Sequence, residues 1–368
     1  MRRTLFGILS FACLLLAFPA AGRWKIQYFY DQNDSSLSIS DFRFPSPQFG
    51  IALGVIMGKK GHKSVAVITR DTGGSWDLSP LQEPGLSLFF LDASTGWMVS
   101  QKGHIWKTVD AARSWSQAGL SGIRATPLRV FFLDETRGWL LCDQKQVYST
   151  ADGGRSWQPL LAAARPELPS TDSLYTVAAF FNRDAGLLAG WSRPADRRSP
   201  EPDLAFARPS PAATLLLATV DGGKNWSFRS FPSLGQIASA RFLGADTALL
   251  LVHRPDPRSS APSEILSLDL KTFQHRPLYS NKDRWITDIE FAGPGRLLAA
   301  AIDQAGRAPT PAIPSKLKVL ESADLKEWTE MEVDYRADAA RAILAVPEPA
   351  HAWLATDTGM ILQLVQNR

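Results

Sequence analysis

The sequence predicts an all-β chain built from repeated four-stranded units. Three observations carry that reading: a turn octapeptide that recurs, three short apolar β-type runs in fixed order before each copy, and a partial unit at each end. The clearest octapeptides are Thr69–Trp76, Thr150–Trp157 and Thr219–Trp226, and Thr108–Trp115 is a fourth with Ala112 where the others carry glycine. They follow the Asp-box pattern Ser/Thr-x-Asp-x-Gly-x-Ser/Thr-Trp. A short carboxylate can accept hydrogen bonds from turn amides, glycine permits positive φ, and tryptophan anchors the next strand.

Each element follows from that ruler. Unit one has runs over Ile39–Phe44, Gly50–Met57 and Ser64–Thr69 before the box of Asp71, Gly73 and Trp76. Unit two runs Leu86–Leu91, Thr95–Val99 and Ile105–Thr108 before Asp110 and Trp115. Unit three runs Leu128–Leu133, Gly138–Leu141 and Val147–Thr150 before Asp152, Gly154 and Trp157. Unit four runs Tyr175–Phe181, Gly186–Trp191 and Ala213–Thr219 before Asp221, Gly223 and Trp226. Units five and six end in glycine-free copies, Asp269 to Phe273 and Asp324 to Trp328, of the form Ser-x-Asp-Leu-Lys-x-aromatic. The seventh, Ala342–Val346, Ala352–Thr356 and Gly359–Leu364, stops where a box would begin.

The unit missing a fourth strand and the orphan run Trp24–Tyr30 solve each other's problem if that run completes the last sheet. The expectation is one seven-bladed β-propeller domain over residues 23–368, its blades four-stranded and antiparallel with Asp-box turns. The count falls to six if one degenerate unit is not a full sheet. Residues 1–22 read as a secretory signal peptide: Arg2-Arg3, an apolar run Leu5–Phe18, then Ala20-Ala21-Gly22. The expected location is periplasmic or extracellular, an uncleaved anchor being the alternative.

Removing Arg2 and Arg3 lowers the net charge from +4 to about +2, so no global basic character points to nucleic acid. Cys142 is then the one remaining cysteine, placed in a strand as a small apolar residue. The histidine spacing matches no zinc or triad pattern, the boxes lack a calcium ligand set, and no glycine-rich loop opens a helix. No cofactor or metal is expected.

Insertions at Ser192–Ala212, Arg254–Ser263 and Gln304–Ser315 all fall between second and third strands, on the face opposite the boxes. That face gathers Lys59, Lys60, Arg193, Arg197, Arg198, Arg208, Arg254 and Arg258, a basic rim suited to an acidic protein surface, an anionic glycan or lipid headgroups.

With boxes ending in Trp76, Trp115, Trp157 and Trp226, and with the pairs Gly96-Trp97 and Gly138-Trp139, the chain resembles the Asp-box propellers related to the photosystem II stability/assembly factor. That resemblance implies an exported, non-catalytic propeller that binds other proteins, such as subunits of a membrane complex, without a cofactor. Xyloglucan-cleaving Asp-box enzymes pair two such propellers around a cleft, whereas this chain has one. Phe42-Arg43-Phe44-Pro45 also resembles the Phe/Tyr-Arg-Ile-Pro motif of sialidases, whose arginine grips the substrate carboxylate. In this repeat Arg43 aligns with Phe89, Phe131 and Arg241. The leading expectation is a protein-interaction scaffold; the runner-up is a sialidase-like glycosidase or a glycan-binding propeller.

Overall fold

The computed structural model describes residues 22–32, 34–59, 61–120, 122–165, 173–192, 213–232, 234–254, 259–303, 316–334 and 336–366. The expected signal peptide therefore lies outside the described residues, apart from Gly22.

Strand β1 (Arg23–Phe29) precedes five four-stranded antiparallel sheets. The first holds β2 (Ser35–Arg43), β3 (Gly50–Gly58), β4 (Gly61–Thr69) and β5 (Asp77–Pro80). The second holds β6 (Gly85–Phe90), β7 (Gly96–Ser100), β8 (Ile105–Thr108) and β9 (Ser116–Gln117). The third holds β10 (Pro127–Phe132), β11 (Gly138–Cys142), β12 (Val147–Thr150) and β13 (Gln158–Pro159), and a single 3-10 turn, Leu161–Ala164, follows it. The fourth holds β14 (Ser173–Phe180), β15 (Gly186–Ser192), β16 (Ala213–Thr219) and β17 (Ser227–Pro232). The fifth holds β18 (Gln236–Gly244), β19 (Thr247–His253), β20 (Ser263–Asp269) and β21 (His275–Ser280).

The remaining strands form one eight-stranded sheet. It contains β22 (Arg284–Phe291), β23 (Leu297–Asp303), β24 (Leu317–Ser322), β25 (Thr329–Val333), β26 (Ala342–Glu348), β27 (His351–Thr356) and β28 (Met360–Val365). Strand β1 sits inside it, in the order β22-β23-β24-β25-β1-β28-β27-β26. It pairs antiparallel with β28 from Arg23↔Val365 to Phe29↔Met360, and touches β25 in parallel only at Arg23↔Glu332 and Trp24↔Val333.

Position in the sheet explains composition. Second strands such as β7 and β11 are buried throughout, so Gly-Trp-Met-Val-Ser and Gly-Trp-Leu-Leu-Cys read as nearly unbroken apolar runs. Fourth strands are short and exposed, as β9 and β13 illustrate, which blunts the sheet edges. The core lies between successive sheets. Ile51 and Leu53 of the first pack on Leu88 and Met98 of the second, and Trp97 of the second packs on Val130 and Phe132 of the third. The pattern continues to Ile343, Trp353 and Ile361, which pack against Phe42, Phe44 and Val67 and so bring the last strands onto the first sheet.

Candidate functional site

The four eight-residue boxes share one geometry. The Asp71 carboxylate accepts from the Ser75 amide at 2.9 Å, the Ser75 hydroxyl at 2.7 Å and the Thr69 hydroxyl at 2.9 Å. Asp110 repeats this with Ser114 and Thr108, Asp152 with Ser156 and Thr150, and Asp221 with Asn225 and Thr219. These bonds stabilise the charged form, so all four carboxyl groups sit below their ordinary pKa, Asp110 at about 2. Two successive left-handed residues form each turn: Thr72-Gly73, Ala111-Ala112, Gly153-Gly154 and Gly222-Gly223.

The box tryptophans reach across sheets. Trp76 meets Phe44 edge-on at 6.0 Å and Trp353 at 5.8 Å, while Phe44 stacks on Trp353 at 4.7 Å. Trp226 makes the same triad with Phe180 and Trp139, and Trp157 stands edge-on to Phe132, which stacks on Trp97 at 3.9 Å. Trp115 meets Phe90 at 6.5 Å beside Ile51, since the first sheet has no tryptophan at that position. The two seven-residue copies in units five and six keep the carboxylate but shorten the turn by one residue. Asp269 accepts from the amides of Lys271 and Thr272, and Asp324 from those of Lys326 and Glu327. Their aromatics also pack: Phe273 lies under the Arg229 guanidinium at 4.8 Å, and Trp328 meets Tyr279 at 5.1 Å. The box residues stand at separate sheets, where they fasten turns and neighbouring layers.

Of the basic rim, Lys59 and Arg254 are described; Lys60, Arg193, Arg197, Arg198, Arg208 and Arg258 lie outside the described residues. Lys59 pairs with Asp34 at 2.8 Å and Arg254 with Glu264 at 2.8 Å. Nearby, His104 holds the buried Glu83 through Nδ1 at 2.8 Å, with Lys102 at 3.7 Å.

The residues that converge are on the first strands. They line a central channel of about 570 Å³ whose walls include Asp41 and Arg43 of β2, Phe89 of β6, Arg129 and Phe131 of β10, Arg241 of β18, Asp288 of β22 and Arg341 at the entry to β26. Two acids here act as cement. Asp41 accepts from the Leu88 amide of the next sheet at 2.7 Å and from its neighbour Phe42 at 2.9 Å. Asp288 does the same with Leu344 at 3.1 Å and Ile289 at 2.9 Å. Hydroxyls add further links: Ser40 donates to the Gly85 carbonyl at 2.8 Å and Thr287 to that of Ala342 at 2.8 Å.

Arg43, the arginine of the sialidase-like tetrapeptide, is paired with Asp41 at 3.0 Å and donates to the Phe42 carbonyl. Arg241 bonds Glu290 at 2.9 Å and lies 3.5 Å from Asp288; its desolvation is outweighed by these two carboxylates, which raise its pKa. Burial raises Glu290 even though Arg241 opposes it. Arg341 donates to the Ser40 carbonyl. Arg129 is exposed to the channel yet ringed by protein. Desolvation, with Arg43 and Arg341 acting against Asp41 and Asp288, holds its guanidinium below the ordinary value. No tyrosine lines this channel among the described residues, and none of them form a cluster of three or more metal-type ligands.

Neither Asp41, Asp288, Arg129 nor Arg341 stands out in the sequence reading. A polar residue three before the repeat phenylalanine, as Asp41 is to Phe44 and Asp288 to Phe291, was the available signal.

The chain matches no protein-family model, and no curated protein is similar to it in sequence. Solved structures are similar in fold. The structure "YCF48 bound to D1 peptide" has a TM-score of 0.59 at 16% identity, covering 92% of this chain and 99% of that one. YCF48 from Cyanidioschyzon merolae has a TM-score of 0.61 at 14% identity, covering 94% and 98%. A GH74 xyloglucanase from Xanthomonas campestris has 0.55 at 12% identity, covering 93% of this chain and 53% of the enzyme. The fold is a β-propeller resembling YCF48.

Proposed function

We propose that this chain is an exported, non-catalytic β-propeller of seven four-stranded blades that docks another protein on the face carrying the insertions. The blade count follows if the eight-stranded sheet is divided at the two-residue parallel contact between β1 and β25, leaving β26, β27, β28 and β1 as a blade of their own. One observation carries the scaffold reading. Asp41 and Asp288, the acids that line the channel, are bonded to backbone amides of their own and the neighbouring sheet, an arrangement suited to cohesion rather than proton transfer. The fold neighbour solved with a bound peptide supports a protein ligand. The insertion-side lysines and arginines would favour an acidic partner surface.

The experiment is a pull-down from the host's envelope extract with the mature chain and with an Arg193→Glu/Arg197→Glu/Arg198→Glu variant. Capture of one partner by the wild type and its loss in the variant is expected; equal capture by both contradicts the docking face. Assay of a fluorogenic sialoside beside Arg43→Ala covers the enzymatic alternative, and no turnover is expected.

A further inference from the structure

The channel is lined by four guanidinium groups, those of Arg43, Arg129, Arg241 and Arg341, against the carboxylates of Asp41 and Asp288, with Glu290 behind Arg241 as a third. The three acids are already engaged. Both oxygens of Asp41 accept backbone amides, as do both of Asp288, and Glu290 accepts from Arg241 and from the Phe291 amide. Three of the arginines are engaged as well: Arg43 with Asp41, Arg241 with Glu290 and Asp288, and Arg341 with the Ser40 carbonyl. The Arg129 guanidinium makes no hydrogen bond and has no carboxylate within ion-pair distance among the described residues, and the side chain is exposed to the channel. One guanidinium is thus left without a hydrogen-bonded or ion-paired partner inside the channel.

Beside it lies apolar ground. Phe131 projects from the same face of β10 two residues on, its ring 4.9 Å from that of Phe89, and Ile343 lines the same channel. A volume of about 570 Å³ holds a small organic molecule.

We infer that the central channel binds a small organic monocarboxylate, its carboxylate on the Arg129 fork and its apolar body against Phe89 and Phe131. A planar guanidinium matches a carboxylate through two parallel N–H···O bonds. A single surplus charge, with three fixed carboxylates nearby, favours a monoanion over a dianion such as phosphate. The site does not depend on the docking face proposed above, so the two readings stand or fall separately.

The test is calorimetric or NMR titration of the mature chain with phenylacetate, phenylacetamide and inorganic phosphate. Phenylacetate should saturate with a Kd of about 1 mM or tighter. Phenylacetamide, which has the ring without the charge, and phosphate should bind at least about tenfold more weakly. Arg129→Gln should lose at least about tenfold in phenylacetate affinity, Arg129→Lys should fall between it and the wild type, and Lys59→Gln should leave it unchanged. The inference is overturned if phenylacetate fails to saturate, if the amide or phosphate binds as tightly, or if folded Arg129→Gln binds like the wild type. The ligand comparison uses the wild type alone, so it decides the matter even if Arg129→Gln does not fold.

Discussion

A Cβ built on Gly73 would come within 2.0 Å of the Trp353 ring, although the two residues belong to opposite ends of the chain. Gly73 has φ +77° and closes the first box, and Trp353 stacks on Phe44 beneath it. The box therefore needs its glycine twice over, for the left-handed backbone and for the tryptophan of the preceding layer. Gly223 stands in the same relation to Trp139, at 2.4 Å. Ala112 is tolerated at φ +61° because Ile51 occupies the place of that tryptophan.

Gly73→Ala should accordingly lose roughly 2–4 kcal/mol of stability, the sum of left-handed strain and overpacking. Gly154→Ala has its nearest contact at 3.3 Å. It should lose only the backbone contribution, about 1–2 kcal/mol. Urea unfolding of the two variants side by side checks the order.

The boxes also set an acid limit. Bonds from the Ser114 side chain and amide, then from Thr108, hold Asp110 down from 3.8 to about 2. A depressed folded-state pKa stabilises the protein above the unfolded value, and that contribution is lost as pH falls from 3.8 towards about 2. Urea midpoints taken across this window should fall less steeply for Asp110→Asn than for the wild type. Equal slopes would mean that the carboxylate bonds do not couple to folding.

Much of this was legible because the Asp-box writes its geometry into consecutive residues: Thr150, Asp152, Gly154, Ser156 and Trp157 sit together in sequence and bond within one turn. The repeat register likewise placed Trp24 beside the last strands. The channel was not legible in the same way. Arg43, Arg129 and Arg341 meet only when the ring closes, across separations that no local pattern reports. Of the partners that distinguish them, Asp41 lies two residues before Arg43 on the same strand, whereas the Ser40 carbonyl reaches Arg341 only through that closure. The shortened turns at Asp269 and Asp324 were recognised by composition, but their altered amide pattern follows from the missing residue.

Trp24 is 1% exposed and packs with Leu298, Val319, Met331 and Leu362, so β1 is part of the core between its neighbours. Trp24→Ala should lose about 3–5 kcal/mol, read from chemical unfolding. The proposed export predicts that N-terminal sequencing of the mature protein finds a start near Arg23, which leaves β1 whole.

Cys142 is fully buried in β11, and burial, with Asp143 adding to it, pushes its thiol up to about 12. Native protein at neutral pH should therefore leave Cys142 unlabelled by a thiol reagent, and unfolding should release it. Rapid labelling of the native protein would place Cys142 in an open environment instead.

The two faces of the propeller carry separate lysines, which allows the docking proposal to be tested directly. Lys59 and Lys102 lie in turns between second and third strands, whereas Lys224, Lys271 and Lys326 lie in the box turns on the opposite side. Amine cross-linking of the captured complex, read by mass spectrometry, should join the partner to Lys59 and Lys102 and spare the box-side lysines. Cross-links concentrated at Lys224, Lys271 and Lys326 would contradict the account.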